Sequence, residues 1–312
     1  MQRKKLRKMR VVSEAGEKEH RENKIIAACA VALIFWGRVG DCDQIPEVNE
    51  VAVKTMKRRI FAGNTCEQVV YNIPEGARNP KGYDPEQTSR KRFKDEADRE
   101  RHRVEISRRN FIRLVNANMK PGDLYVTLTF DNDWEVHTFE DARRIRYNFV
   151  RTLIRKCPDA IIFAVMGRGK STERIHFHFL IKGIPEEFIS QKWKYGKVKR
   201  IVGLREHCWY DGVDHGADYT GIANYMFDHW TTEQGGHRWF QTKNVKQPEK
   251  ETPTEVRITG GYSEKRPPIA PKGFKLVSVK ATPYGYILFK YVLTPPKDPR
   301  ISAGKKDRPR AG

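Results

Sequence analysis

The chain has 312 residues, enough for one large domain or two small ones with a buried core. Lys and Arg total 60 against 39 acidic residues; the formal charge of +21 disfavours polycationic partners and makes a polyanion the natural one. Nucleic acid is the first choice, a ribosome or an anionic membrane the second. The five cysteines (Cys29, Cys42, Cys66, Cys157, Cys208) are scattered without CxxC spacing, which argues against a disulfide framework and for a reducing, cytoplasmic setting.

In chain order, residues 1–10 and the stretch after Lys297 are polar, basic and aperiodic, and read as flexible arms. The apolar run Ile25–Trp36 is too short for a spanning helix, which needs roughly 20 apolar residues. Its long charged lead is unlike a signal peptide, and a buried helix or an interfacial anchor fits it better; no membrane partner is expected. Residues 11–53 have mixed character. From Met56, in the basic stretch MKRRIF, the patterning improves. Gln87–Asn118 predicts a long surface helix whose later half, with Phe111, Ile112, Leu114 and Val115, packs inward. A turn on Pro121-Gly122 leads to Leu124–Phe130, rich in β-branched and aromatic residues and read as a buried strand. Thr138 caps a helix with Ala142, Ile145, Phe149 and Leu153 at helical spacing, stopped by Pro158. Ala160–Met166 and Ile175–Ile181 form a hairpin around a basic, Gly-rich loop. A short helix over Pro185–Trp193, a strand over Lys197–Val202, a helix over Gly216–Trp230, and paired strands Lys275–Ala281 and Tyr286–Val292 complete the reading. Strands and helices interleave, which predicts an α+β fold around an antiparallel sheet.

The chemistry concentrates in Ile175-His176-Phe177-His178-Phe179. Side chains alternate along a strand, so the two imidazoles share a face while the apolar residues bury on the other. Such a pair either holds a divalent cation with sites left for a phosphate oxygen or is merely a solvent-facing pair on a half-exposed sheet. His207, Cys208 and His215 lie close in sequence, but no second pair completes a zinc site there.

Three segments, Leu124-Tyr-Val-Thr-Leu-Thr-Phe130, Arg174-Ile-His-Phe-His-Phe179 and Tyr219-Thr-Gly-Ile-Ala-Asn-Tyr-Met226, stand in an order that resembles the HUH endonucleases that initiate rolling-circle replication. Asn116–Asp123 resembles the NANxxPGD junction of the phage members, and Arg238–Pro248 the basic strand after their tyrosine helix. The similarity runs from roughly 55 to 295. It implies a ferredoxin- or RRM-like antiparallel sheet palm with flanking helices over 54–295, an extension over 1–53 and a basic tail over 296–312. It implies further that His176 and His178 bind Mg²⁺ or Mn²⁺ and that Tyr225 attacks the scissile phosphate. The products would be a 5′-phosphotyrosine and a free 3′-OH at an origin in single-stranded DNA. No GxxxxGK[ST] motif is present, so unwinding and synthesis would fall to a host or phage helicase and polymerase.

The sequence departs from that pattern twice. Where the family has a third, carboxylate ligand this chain has Gly167; Glu173 either stands in as the metal ligand or is a solvated loop acid. Where the family has a lysine three residues after the nucleophile there is Asp228, and His229 either supplies a proton or positive charge or covers the helix surface. Tyr219 and Tyr225 face different ways on a helix, so Tyr219 is assigned to packing. Arg168, Lys170 and Arg174 around the histidine strand, and Lys197, Lys199 and Arg200 beside Trp193 and Tyr195, are the expected strand-binding cations. The alternative to the enzyme is a non-catalytic single-stranded nucleic-acid-binding protein on a degenerate palm.

Overall fold

The computed structural model describes residues 53–74, 93–134, 136–169, 174–210, 212–230, 238–256 and 262–294. The expected arms, the Ile25–Trp36 run, Lys170 and Glu173 lie outside these residues.

In chain order the elements are β1 (Val53–Ala62), β2 (Thr65–Pro74), α1 (Glu96–Asn118), β3 (Leu124–Thr129), α2 (Phe139–Lys156), β4 (Ile161–Arg168), β5 (Ile175–Lys182) and α3 (Glu186–Lys192). They continue with β6 (Val198–Gly203), β7 (Trp209–Tyr210), β8 (Val213–Asp214), α4 (Thr220–Asp228), β9 (Phe240–Gln241), β10 (Glu249–Lys250), β11 (Thr254–Glu255), β12 (Phe274–Ala281) and β13 (Tyr286–Leu293). The fold is mixed α+β with antiparallel sheets. Among the described residues no helix is long and apolar enough to cross a membrane.

The central sheet has the order β6-β3-β5-β4-β9. Its first four strands come from one continuous β3-α2-β4-β5-α3-β6 run, with β4 and β5 joined as the expected hairpin, Ile161 opposite Lys182 and Arg168 opposite Ile175. The two-residue period sorts the side chains. Val126 and Leu128, Ile162, Ala164 and Met166, and Ile175, Phe177, Phe179 and Ile181 pack against Phe149 and Leu153 of α2 and Ile189 of α3. Fully burying a Phe of this kind stabilises by about 1.5–3 kcal/mol. On the opposite face, Tyr125, Phe163, Val165 and Leu180 meet Phe111 and Val115 of α1 and Ala223, Met226 and Phe227 of α4. The histidine-bearing face therefore lies under α1 and α4.

The helices follow their caps. The Asp95 carboxylate accepts from the Asp98 N–H and starts α1, residues 87–92 of the expected helix lying outside the described ones; Thr138 caps α2 through the Asp141 N–H. The helix expected from Gly216 begins only at Thr220: Gly216 holds a positive φ of 58°, and the Asp218 carboxylate takes the Thr220 N–H and Oγ1–H.

A second sheet, unforeseen as such, joins the two ends of the described chain in the order β10-β1-β2-β13-β12, with β11 also on β1. The late half of α1 is buried all round because it packs on both sheets. Its apolar side faces the central sheet. Toward the second, Arg113 makes a two-pronged ion pair with Glu67, Arg109 donates to the Tyr286 hydroxyl, and Gly63 comes so close that an added Cβ would lie 2.1 Å from the Asn116 carbonyl oxygen.

Candidate active site on the histidine face

Three strands and one helix build the site. On β5, His176 and His178 point to the α4 side. Thr129 and Thr127 of β3 stand opposite them, and Gly167 and Val165 of β4 flank them on the other side. From above, α4 contributes Tyr225 and, at its C-cap, His229. The rings gather closely: centroids lie 4.9 Å apart for His176–His178, 5.0 Å for His178–His229, 5.5 Å for His178–Tyr225 and 4.1 Å for Tyr225–His229. The predicted metal pair and the predicted nucleophile therefore share one place. Tyr225 is 45% exposed while His178 is 2% exposed, so the phenol borders solvent above a buried imidazole.

Each ring nitrogen pattern has a physical reading. His178 Nδ1 lies 2.7 Å from the Tyr125 hydroxyl and 3.3 Å from Thr127 Oγ1, and its Nε2 is buried without a partner. Burial, with the nearby His176 and His229 rings adding to it, pushes the His178 pKa down to about 3, so the ring is neutral at ordinary pH. Burial likewise lowers His176, and the His229 ring acts in the same direction. A neutral imidazole with an unused ring nitrogen is what a divalent cation needs as a ligand, and a buried nitrogen left unpaired costs free energy without one. The residues present thus fit a bound cation. Among the described residues, however, no group of three or more His, Cys, Asp or Glu side chains is placed to hold a metal ion. The proposed carboxylate ligand Glu173 lies outside the described residues.

Gly167 and Asp228 each have a close structural neighbour. A Cβ on Gly167 would sit 2.5 Å from the His229 carbonyl oxygen and 2.8 Å from His176 Nε2, so a carboxylate-bearing residue has no room here. We expect Gly167→Ala to cost roughly 1–3 kcal/mol, because a backbone carbonyl is among the atoms that must move. Calorimetric melting of the variant checks this, and an unchanged melting temperature refutes the close approach. Asp228 is paired with Arg108 of α1 at 2.6 Å, and Arg108 also donates to Asn224 and covers the Phe227 ring.

Tyr219 is buried, donates its hydroxyl to the Arg205 carbonyl and packs with the α1–α4 cluster. The zinc candidates are otherwise engaged: His207 with Asp214, His215 with Asp218. Of the expected strand-binding cations, Arg174 and Lys197 line one open cleft of about 600 Å³ with Thr129, Asp131, Asn132 and Asp133 beside the His176 end of the sheet. Arg200 on β6 is paired opposite Thr127 and exposed. Arg168 is turned away, donating to the His137 carbonyl and lying over the Phe139 ring. Lys199 lies within β6. Lys170, like Glu173, lies outside the described residues.

Sequence reading passed over Tyr125 and Thr127. The signal was present in the alternation of Tyr125, Thr127 and Thr129 along one face of β3, but only the pairing of β3 with β5 gives those hydroxyls a histidine to orient. Burial pushes the Tyr125 phenol up to about 12, so it stays protonated and holds the His178 ring rather than reacting. No protein-family model, curated protein or solved structure matches the chain.

Proposed function

We propose that the chain is a single-tyrosine endonuclease that nicks and rejoins single-stranded DNA at a replication origin, working on a ferredoxin-like palm. The β3-α2-β4-β5-α3-β6 run and its β6-β3-β5-β4 strand order support the palm. The observation that carries the activity is the Tyr225 ring, exposed and 5.5 Å from the ring of the buried His178, whose Nε2 has no partner.

In this reading Tyr225 loses its proton to solvent and its oxygen attacks the scissile phosphorus. A 5′-phosphotyrosine bond forms, the bond to the 3′ oxygen breaks, and that oxygen leaves as a 3′-OH after taking up a proton. His176 and His178 would hold Mg²⁺ or Mn²⁺, which when bound polarises the phosphate and offsets the charge that develops on it. Tyr125 and Thr127 fix the His178 ring through Nδ1. Buried on α1 and the sheet, α4 keeps the phenol from swinging away. Arg174, Lys197 and Arg200 bind backbone phosphates of the strand, and an origin-unwinding helicase and a polymerase would be partners in replication.

The test is direct. Labelled single-stranded oligonucleotides and MnCl₂ are incubated with the full chain and run on a denaturing gel; a protein–DNA adduct resistant to denaturant, with a matching fragment ending in 3′-OH, is expected. Binding without any adduct across a library of sequences would leave the non-catalytic binding protein. As a separate check on the cationic path, Arg200→Ala is expected to weaken oligonucleotide binding and to lower the slope of log K against log salt by about 0.7, the value for one phosphate contact on a single strand. An unchanged slope removes Arg200 from the path.

A further inference from the structure

In the three imidazoles at this site one nitrogen is always spoken for and it is always the same one. His176 Nδ1 faces the Arg174 carbonyl at 3.4 Å, His178 Nδ1 the Tyr125 hydroxyl at 2.7 Å, and His229 Nδ1 the Tyr225 carbonyl at 2.7 Å. A carbonyl oxygen only accepts, so in His176 and His229 the proton sits on Nδ1 and the Nε2 lone pair is free. The same tautomer in His178 leaves its buried Nε2 as a lone pair without a partner. Histidines that ligate metals are oriented in this manner, the distal N–H held by a carbonyl or hydroxyl while the other nitrogen faces the ion.

We infer that His229, carried on the same helix as Tyr225, is the third protein ligand of the divalent cation held by His176 and His178. The inference rests on the metal-dependent reading above. Rings sharing a four- to six-coordinate ion through Nε2 stand roughly 5 Å apart, given metal–nitrogen bonds of about 2.0–2.1 Å. Two of the three separations, 4.9 and 5.0 Å, meet that, and His176–His229 at 6.2 Å is wider. As they stand the three do not form a metal-holding group, so binding would turn the His229 ring inward on its fixed backbone and complete the centre. The same arrangement explains why β4 carries a glycine beside it: any Cβ at Gly167 would meet His176 Nε2 and the His229 carbonyl. The ligand comes from the tyrosine helix instead of from the strand. Holding the ion and placing the phenol become one event, since His229 and Tyr225 are a single helical turn apart and their rings touch.

Manganese affinity of the full chain, read from the free Mn²⁺ electron paramagnetic resonance signal in the absence of DNA, tests this without reference to nicking. His176→Ala, His178→Ala, His229→Ala and His229→Gln are compared with the parent and with Tyr225→Phe, each checked for folding by circular dichroism. Loss of a ligand is expected to weaken binding by at least the ~10–100-fold that loss of an outer-shell partner costs. The expected result is that both His229 variants weaken it to the same degree as His176→Ala, while Tyr225→Phe leaves it unchanged. Full affinity in the His229 variants, with loss in the strand variants, overturns the third ligand and leaves the metal reading standing. A parent chain that binds no Mn²⁺ overturns both.

Discussion

Tyr225→Phe is expected to abolish the covalent protein–DNA adduct, lowering strand cleavage by at least ~10³-fold, while binding of the same oligonucleotide changes little. The substitution removes only the hydroxyl. The ring remains, and with it the contacts to His178, Tyr125 and His229 that seat the end of α4. The hydroxyl also shares a hydrogen bond with the buried Tyr125, so its loss should lower thermal stability by about 0.5–1.5 kcal/mol, far short of unfolding the chain. The measurement is a denaturing gel of labelled single-stranded DNA, paired with an affinity titration. An adduct of undiminished yield would remove Tyr225 as the nucleophile. The adjacent Tyr125 is a poor substitute: it is 4% exposed, and burial has pushed its pKa to about 12.

The largest expected effect on stability lies away from the histidines, where the second sheet grips the start of α4. Asp218 is fully buried, and Lys290 of β13 reaches it at 2.6 Å and Thr220 Oγ1 at 2.7 Å. Burial by itself raises the Asp218 pKa, but the Lys290 ammonium and the Thr220 bonds outweigh it and hold the carboxyl below the usual range. Lys290→Met takes the ammonium from that buried carboxylate, leaving it only the Thr220 bonds and His215 at 3.3 Å, and is expected to cost about 3–5 kcal/mol, on the order of 10 °C in melting temperature. Pairing the change with Asp218→Asn should recover part of the loss, since no buried charge is then left unmatched. The pH dependence distinguishes this from ordinary loosening. A depressed folded-state pKa contributes stability that is present above the unfolded carboxylate's value of about 3.9 and is lost as pH falls through the folded value. In Lys290→Met the largest influences lowering that pKa are gone while the Thr220 bonds remain, so the folded value moves up and the loss of stability toward acid shrinks. Melting temperatures from pH 7 to 3 should therefore fall less steeply in the variant than in the parent, apart from what other groups add equally to both. Parallel curves would show that the pair does not clamp the helix. Because that helix carries Tyr225 and His229, loss of the clamp should also reduce adduct yield.

How much of this was legible in the residues differs from one element to the next. Period-two alternation in IHFHF places both imidazoles on one face of a strand whatever surrounds it, because a pleated backbone allows nothing else. Thr138 and Pro158 bracket α2 through local hydrogen bonding and ring sterics, so that helix lies where the sequence placed it. The Tyr225 and His178 rings lie close together, and of Tyr225 and the helix-capping Tyr219 only Tyr225 is exposed. The rest depends on partners distant along the chain. Gly63–Asn64 folds Met56–Ala62 and Thr65–Ile73 into a hairpin, but its lysines and arginines mask the alternation, and its sheet is completed only by β13, more than two hundred residues on. The missing side chain of Gly167 reads as a defect until His229 is seen occupying the space. Asp228 reads as a reversed charge until Arg108 is seen beside it. Local sequence sets period, caps and turns, because these act over a few residues; which groups meet across a closed core is set by packing among elements far apart in the chain. Only the tertiary structure could bring three imidazoles and a phenol together.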